Sequence, residues 1–114
     1  MQFALFLYDI ETFHDQTEAE QMAVVGEYMA YTAELEAAGA HVSGVPLDAS
    51  TLARTLMPGG AIQDGPYADT KEQLGGLYII HAGSMDEALA WARKCPSHRH
   101  GGRIEVRPIP DYGD

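Results

Sequence analysis

The stretch Gln63 to Ile80, QDGPYADTKEQLGGLYII, decides how the chain is read. Its first part resists regular structure, because Pro66 has no N–H to donate and Gly65 adopts backbone angles that other residues avoid. The Asp64 side chain is placed to cap that turn by bonding nearby backbone N–H groups. After Gly75 and Gly76 the chain enters Leu77-Tyr78-Ile79-Ile80, a short unbroken apolar run of the kind that fills a strand buried on both faces. A turn rich in ionisable side chains thus stands directly before a core strand.

Working outward, Phe3 to Tyr8 forms a second such strand, in which Phe3/Leu5/Leu7 and Ala4/Phe6/Tyr8 are both apolar sets, so both faces need cover. Asp9 to Asp15 reads as a polar connection. Thr17 is the expected N-cap of a helix, with Glu18 and Glu20 at its positive end. Val24, Tyr28, Tyr31, Leu35 and Ala38 recur at helical spacing, and Gly39 supplies the stop. A strand from His41 to Val45 ends at Pro46. Pro58-Gly59-Gly60 between two short runs, Ala53 to Met57 and Ala61 to Gln63, predicts a hairpin. Ser84 and Glu87 have capping-box spacing, and Leu89, Ala92 and Cys95 continue a buried stripe until Pro96 ends the second helix. His98 to Gly102 reads as a loop, and Arg103 to Arg107 alternates as a half-exposed strand.

The order strand, helix, strand, inserted hairpin, strand, helix, strand predicts an α+β domain of ferredoxin-like βαββαβ type over residues 1–114. Two helices cover one sheet face only. The other, apolar in the first strand and again in Leu77 to Ile80, is expected to be covered by a second copy, giving a homodimer; left wet it would cost several kcal/mol at about 25 cal/mol per Å².

Composition restricts the function. With 114 residues, 46% of them hydrophobic and 21% charged, the chain supports one folded core. Its net charge of −10, without a local Lys/Arg cluster, opposes nucleic-acid binding. No apolar run approaches the roughly 20 residues that span a bilayer, so no membrane partner is expected. The single cysteine, Cys95, and the absence of a signal-like N-terminus point to a reducing cytoplasm.

Asp64-Gly65-Pro66-Tyr67 and the residues through Gly76 closely resemble the DGPF signature of the YCII-related family. The resemblance continues in strand one, in Glu27 to Gly39, in Asp86 to Cys95 and in Ile104 to Ile109. It departs at Tyr67, which keeps the ring of the family's Phe and adds a hydroxyl. The resemblance implies a dimeric α+β barrel. Some relatives are thought to use a His–Asp pair in a pocket, and one branch removes chloride from a hydroxylated aromatic ring. Their His lies on the first helix, where Glu27 to Met29 here contains none. DGPF-type proteins also neighbour alternative sigma factors, which implies a regulatory alternative.

Among individual residues, Asp64 is the candidate general base, since a carboxylate beside a turn and a core strand can be desolvated; the alternative is a plain turn cap. Lys71 is the candidate electrostatic partner for an anionic substrate, oriented by Glu72; the alternative is a solvated pair. Gly65, Pro66 and Tyr67 would line the pocket. Tyr8 and Tyr28 offer it hydroxyls but read more simply as core. His14, after the first strand, and His81, at the end of the core strand, are the histidines available to Asp64. His98 and His100 lack an assured third ligand, so no metal is expected. Cys95 reads as a small core residue. No Ser elbow, Walker loop or dinucleotide glycine pattern occurs, and no cofactor is expected. Two functions follow: an isomerase- or lyase-type acid–base enzyme for a small anionic or aromatic ligand, or a noncatalytic ligand-binding or stress-regulatory homodimer.

Overall fold

The computed structural model describes residues 1–113; Asp114, the last residue of the expected domain, lies outside the described residues. Strand β1, Gln2–Ile10, runs through the middle of a four-stranded sheet and is antiparallel to both its neighbours, β5 (Glu72–His81) and β6 (Arg103–Ile109). β2 (His41–Pro46) pairs with the other side of β5, so the order is β2-β5-β1-β6. Helix α1, Glu18–Ala37, joins β1 to β2, while α2 (Met85–Lys94) and the one-turn α3 (Pro96–Arg99) join β5 to β6. This is the expected split β-α-β order. The inserted hairpin is present as β3 (Arg54–Leu56) and β4 (Ile62–Asp64), a separate two-stranded sheet.

The alternation in β1 sorts its side chains as anticipated. Phe3, Leu5 and Leu7 are at most 4% exposed and pack with Tyr31 and Leu35 of α1, Ala88 and Ala92 of α2, and Tyr78 and Ile80 of β5. The ring centroids of Tyr31 and Tyr78 lie 5.3 Å apart, edge to face, and the Tyr31 hydroxyl donates to the Trp91 carbonyl at 2.7 Å. Ala4, Phe6 and Tyr8 point the other way. The register sets Phe6 opposite Leu77 and Glu105, Ala4 opposite Ile79 and Arg107, and Val45 opposite Leu77. An apolar field of Val45, Leu77, Ile79, Ala4 and Phe6 therefore occupies the helix-free face, bordered by charged residues of β6.

Local chemistry explains most of the ends. Thr17 and Glu20 form a reciprocal capping box at the start of α1. Gly39, with φ of 70°, turns the chain out of it. At α2 the expected box forms by half: Ser84 Oγ accepts from the Glu87 N–H at 3.2 Å, but the Glu87 carboxylate accepts from Gly83 instead of Ser84.

Three boundaries differ from expectation. Pro96 does not simply end a helix; it starts α3, because a proline at the first helical position gives up an N–H that has no partner there anyway. Residues His98 and Arg99 are thus helical, not loop. β5 begins at Glu72, ahead of the glycine pair, since Leu7 pairs with Gly76 and Tyr8 with Leu74, leaving Gly75 as a bulge. Ala38 is exposed and does not extend the buried stripe of α1.

Candidate functional site

The residues of the Asp64 turn are carried by the hairpin. Gly65, at φ 95°, donates its N–H to the Ala53 carbonyl at 2.8 Å, and Thr55 Oγ1 donates to the Gly65 carbonyl at 3.0 Å. These bonds fix the turn and aim Asp64 outward, where its side chain is 86% exposed and pairs with Arg54 Nε at 3.1 Å. Tyr67 and Lys71 are also exposed. Pro66 lines an open apolar hollow of about 350 Å³ with Leu47, Leu52, Ala53 and Leu74, between hairpin and sheet. Glu72 is bound to Arg103 at 3.0 Å.

The other candidates are spread over the molecule. Tyr8 lies on the helix-free face opposite Leu74 and Arg103, whereas Tyr28 packs on the helix side, so the sheet separates them. His81 is at the far end of β5 from Glu72, about 30 Å away at the usual strand rise, in a second hollow with Met1, Gly39, Glu87 and Trp91. His14 approaches Asp48 at 3.8 Å. Among the described residues, no three or more His, Cys, Asp or Glu side chains converge as a metal ion would need.

A different set converges. Asp9 follows Phe3, Leu5 and Leu7 in inward parity at the end of β1, opposite the buried Gln73. Both its carboxylate oxygens lie within reach of the Ser97 hydroxyl, at 2.9 and 2.8 Å, and Ser97 is 3% exposed. α3 holds Ser97 there, and its carbonyl accepts from the Gly102 N–H at 2.8 Å. Gly102 has no room for a side chain: a Cβ would overlap Asp9 Oδ1 and Ser97 Oγ and lie 2.8 Å from the Ser97 carbonyl oxygen. Tyr28 of α1 shares the cluster. Burial foremost, then the neighbouring Cys95 and Asp9, push its phenol well above the ordinary tyrosine range. Beside it, Glu27 Oε2 and His100 Nε2 are 2.8 Å apart, a second tie between α1 and the end of α3.

The cluster sets a partly buried carboxylate beside two hydroxyl groups, one of them a phenol kept protonated. Such a set can take a proton from an acidic O–H of a ligand and offer a hydrogen bond to the oxyanion that results. Sequence reasoning read Asp9 as connection and Ser97 and Gly102 as a helix end and loop. One signal was available: Phe3, Leu5, Leu7 and Asp9 share a parity, so a strand continued by one residue turns an acid inward.

Cys95 lies against the same cluster, fully buried. Burial, the largest influence, pushes its thiol up to about 11 from an ordinary 9. The fold therefore favours the protonated form. Its contribution to stability is whole below pH 9 and is lost between pH 9 and 11, as the unfolded chain ionises first; it amounts to on the order of 3 kcal/mol at most. The melting temperature is expected to fall as pH rises above 9, less steeply in Cys95→Ala. Iodoacetamide at pH 8 should label Cys95 only after denaturant is added; rapid labelling of the native chain would contradict the burial.

The fold and cluster define an α+β domain with a polar centre where the first strand ends. The YCII-related domain model matches residues 1–112, and the chain belongs to that family. An uncharacterized protein of Rhizobium meliloti (strain 1021) is 42% identical over 69 residues, which are 60% of this chain and only 56% of that relative. Among solved structures, the 5-chloro-2-hydroxyhydroquinone dehydrochlorinase of Burkholderia phenoliruptrix AC1100, in complex with 2,5-dihydroxybenzoquinone, superposes with a TM-score of 0.57 at 22% identity, covering 96% of this chain and 94% of that one. That likeness is one of fold. No helix among the described residues is long and apolar enough to cross a membrane.

Proposed function

We propose that the chain is an acid–base enzyme for a small hydroxylated ring compound, working as a homodimer, with Asp9 as the proton-transferring group and Tyr28 as the hydrogen-bond donor to the developing oxyanion. The observation that carries this reading is the Asp9–Ser97–Tyr28 cluster, in which a carboxylate on the core side of the sheet has the Ser97 hydroxyl within reach of both its oxygens and the Tyr28 phenol in its neighbourhood. Support for the ligand class comes from the structural neighbour, whose bound molecule is a dihydroxylated quinone. In this reading Asp9 takes the role that the sequence assigns to Asp64, because Asp64 is solvated and neutralised by Arg54.

The test is turnover of a panel of hydroxylated and chlorinated hydroquinones by the wild type and by Asp9→Asn. The variant is expected to lose activity about 100-fold while keeping its fold. Full activity in Asp9→Asn together with loss in Asp64→Asn would return the base to the hairpin. A second reading, noncatalytic ligand binding, is favoured by the contact of Ser97 with both Asp9 oxygens, which also suits a purely structural tie of α3 to β1. It predicts saturable ligand binding by thermal shift with no product formed.

A further inference from the structure

The side of α1 turned away from the sheet is apolar, and nothing among the described residues covers it. Met22 and Met29 are each 68% exposed and Val25 is 48% exposed. Ala19, Gly26 and Ala33 lie exposed beside them. The inward side of the same helix is already supplied by Val24, Tyr28, Tyr31 and Leu35, so at 3.6 residues per turn the two apolar sides are opposed. A surface helix that buries one side normally shows water a polar one. Here Glu20, Glu27 and Glu34 run along one edge, and at the other Glu18 and Glu36 fall between Met29 and Val25. α1 contains no Lys or Arg. Glu27 is engaged by His100 and Glu20 by the Thr17 N–H, which leaves Glu18, Glu34 and Glu36 free to meet a partner's cations.

We propose that this side of α1 is a docking surface for a cationic amphipathic helix of another protein. The sign of the flanking charge selects the occupant. A second copy's α1 would set one acidic helix against another, with no cation in either to relieve the repulsion. An anionic lipid surface would be repelled in the same way, and helices that lie on membranes carry Lys and Arg at these positions. A helix with an apolar stripe between rows of Lys or Arg fits: its stripe meets the adaptable methionines and its cations meet the glutamates. This surface faces away from the helix-free side of the sheet, so a dimer formed there leaves it available.

The probe is a fluorescent Leu/Lys peptide of about 18 residues, five helical turns, with its leucines on one side, compared with a scrambled peptide of equal composition. Titrated with the full chain, the amphipathic peptide is expected to bind at least about tenfold more tightly than the scrambled one, and more weakly as salt is raised. Met22→Asn/Met29→Asn and, separately, Glu34→Lys/Glu36→Lys should each weaken it about tenfold. These positions are exposed, so the variants should melt near the wild type; Met29→Gln alone is the milder variant if the double one does not. Equal binding of the two peptides, or binding indifferent to both sets of substitutions, overturns the proposal. So does a change in the chain's own assembly state in the methionine variant, which would make a second copy the occupant. Binding to phosphatidylserine vesicles without binding to the peptide would do the same for a lipid surface.

Discussion

Gly102→Ala is expected to destabilise the fold by about 3 kcal/mol, lowering the melting temperature by roughly 10 °C. The added methyl group would overlap both the Asp9 carboxylate and the Ser97 hydroxyl, and the third atom it meets, the Ser97 carbonyl oxygen at 2.8 Å, is backbone and cannot rotate aside. Relief therefore requires α3 to shift or the Asp9–Ser97 bond to break. Breaking that bond strands a hydroxyl that is 3% exposed, at about 1–3 kcal/mol, and the crowding adds a similar amount. Gly75→Ala is the control, because its new Cβ would meet nothing within 4 Å, and its melting temperature should stay within a few degrees. The measurement is thermal denaturation of the three proteins in one buffer. A Gly102→Ala protein as stable as the wild type would mean that the cluster is far looser than its distances say.

The second large effect concerns the helix-free face of the sheet. If a second copy covers Val45, Ala4, Phe6, Leu77 and Ile79, placing a carboxylate in the middle of that field by Ile79→Asp should weaken self-association at least about 1,000-fold. An unpaired charge inside a closed interface costs several kcal/mol, and each 1.4 kcal/mol is a factor of ten. Ile79 sits opposite Ala4 of β1 on one side and Ser43 of β2 on the other, which puts it well inside the face, away from its charged border. Sedimentation velocity at micromolar loading should show a dimer for the wild type and a monomer for the variant. Ile79→Ala, which trims the contact without adding charge, should fall between them. A wild type that sediments as a monomer would remove the dimer from the reading and leave the face exposed to water.

The two strands with apolar residues in both alternating positions were legible from the order of residues alone, and so was the sided sheet they imply. The hairpin was legible because Pro58-Gly59-Gly60 punctuates two short runs. What escaped were features fixed by neighbours in space. The bulge at Gly75 is set by the phase that β1 imposes on β5, and no residue within β5 announces it. The helical turn of α3 depends on Ser97 being held by Asp9 and Gly102, residues distant from it or beyond its end. The candidate site escaped for the same reason. Asp64, Gly65, Pro66 and Tyr67 attract attention because they are contiguous, but the polar cluster is assembled from Asp9, Tyr28, Ser97 and Gly102, which only the topology brings together. Tyr28 was identified as a residue and its surroundings were not.

The central place of β1 has a consequence for how the domain is made. The most apolar strand is synthesised before both strands that flank it, β5 starting at Glu72 and β6 at Arg103. Until then its two rows of N–H and C=O groups have no partner, and its greasy side chains can be shielded only by α1 or by a chaperone. Its pairings are all long-range, which favours slow closure over fast local assembly. Nascent chains stalled before residue 72 should therefore be sticky and protease-sensitive, and those released after β6 should not.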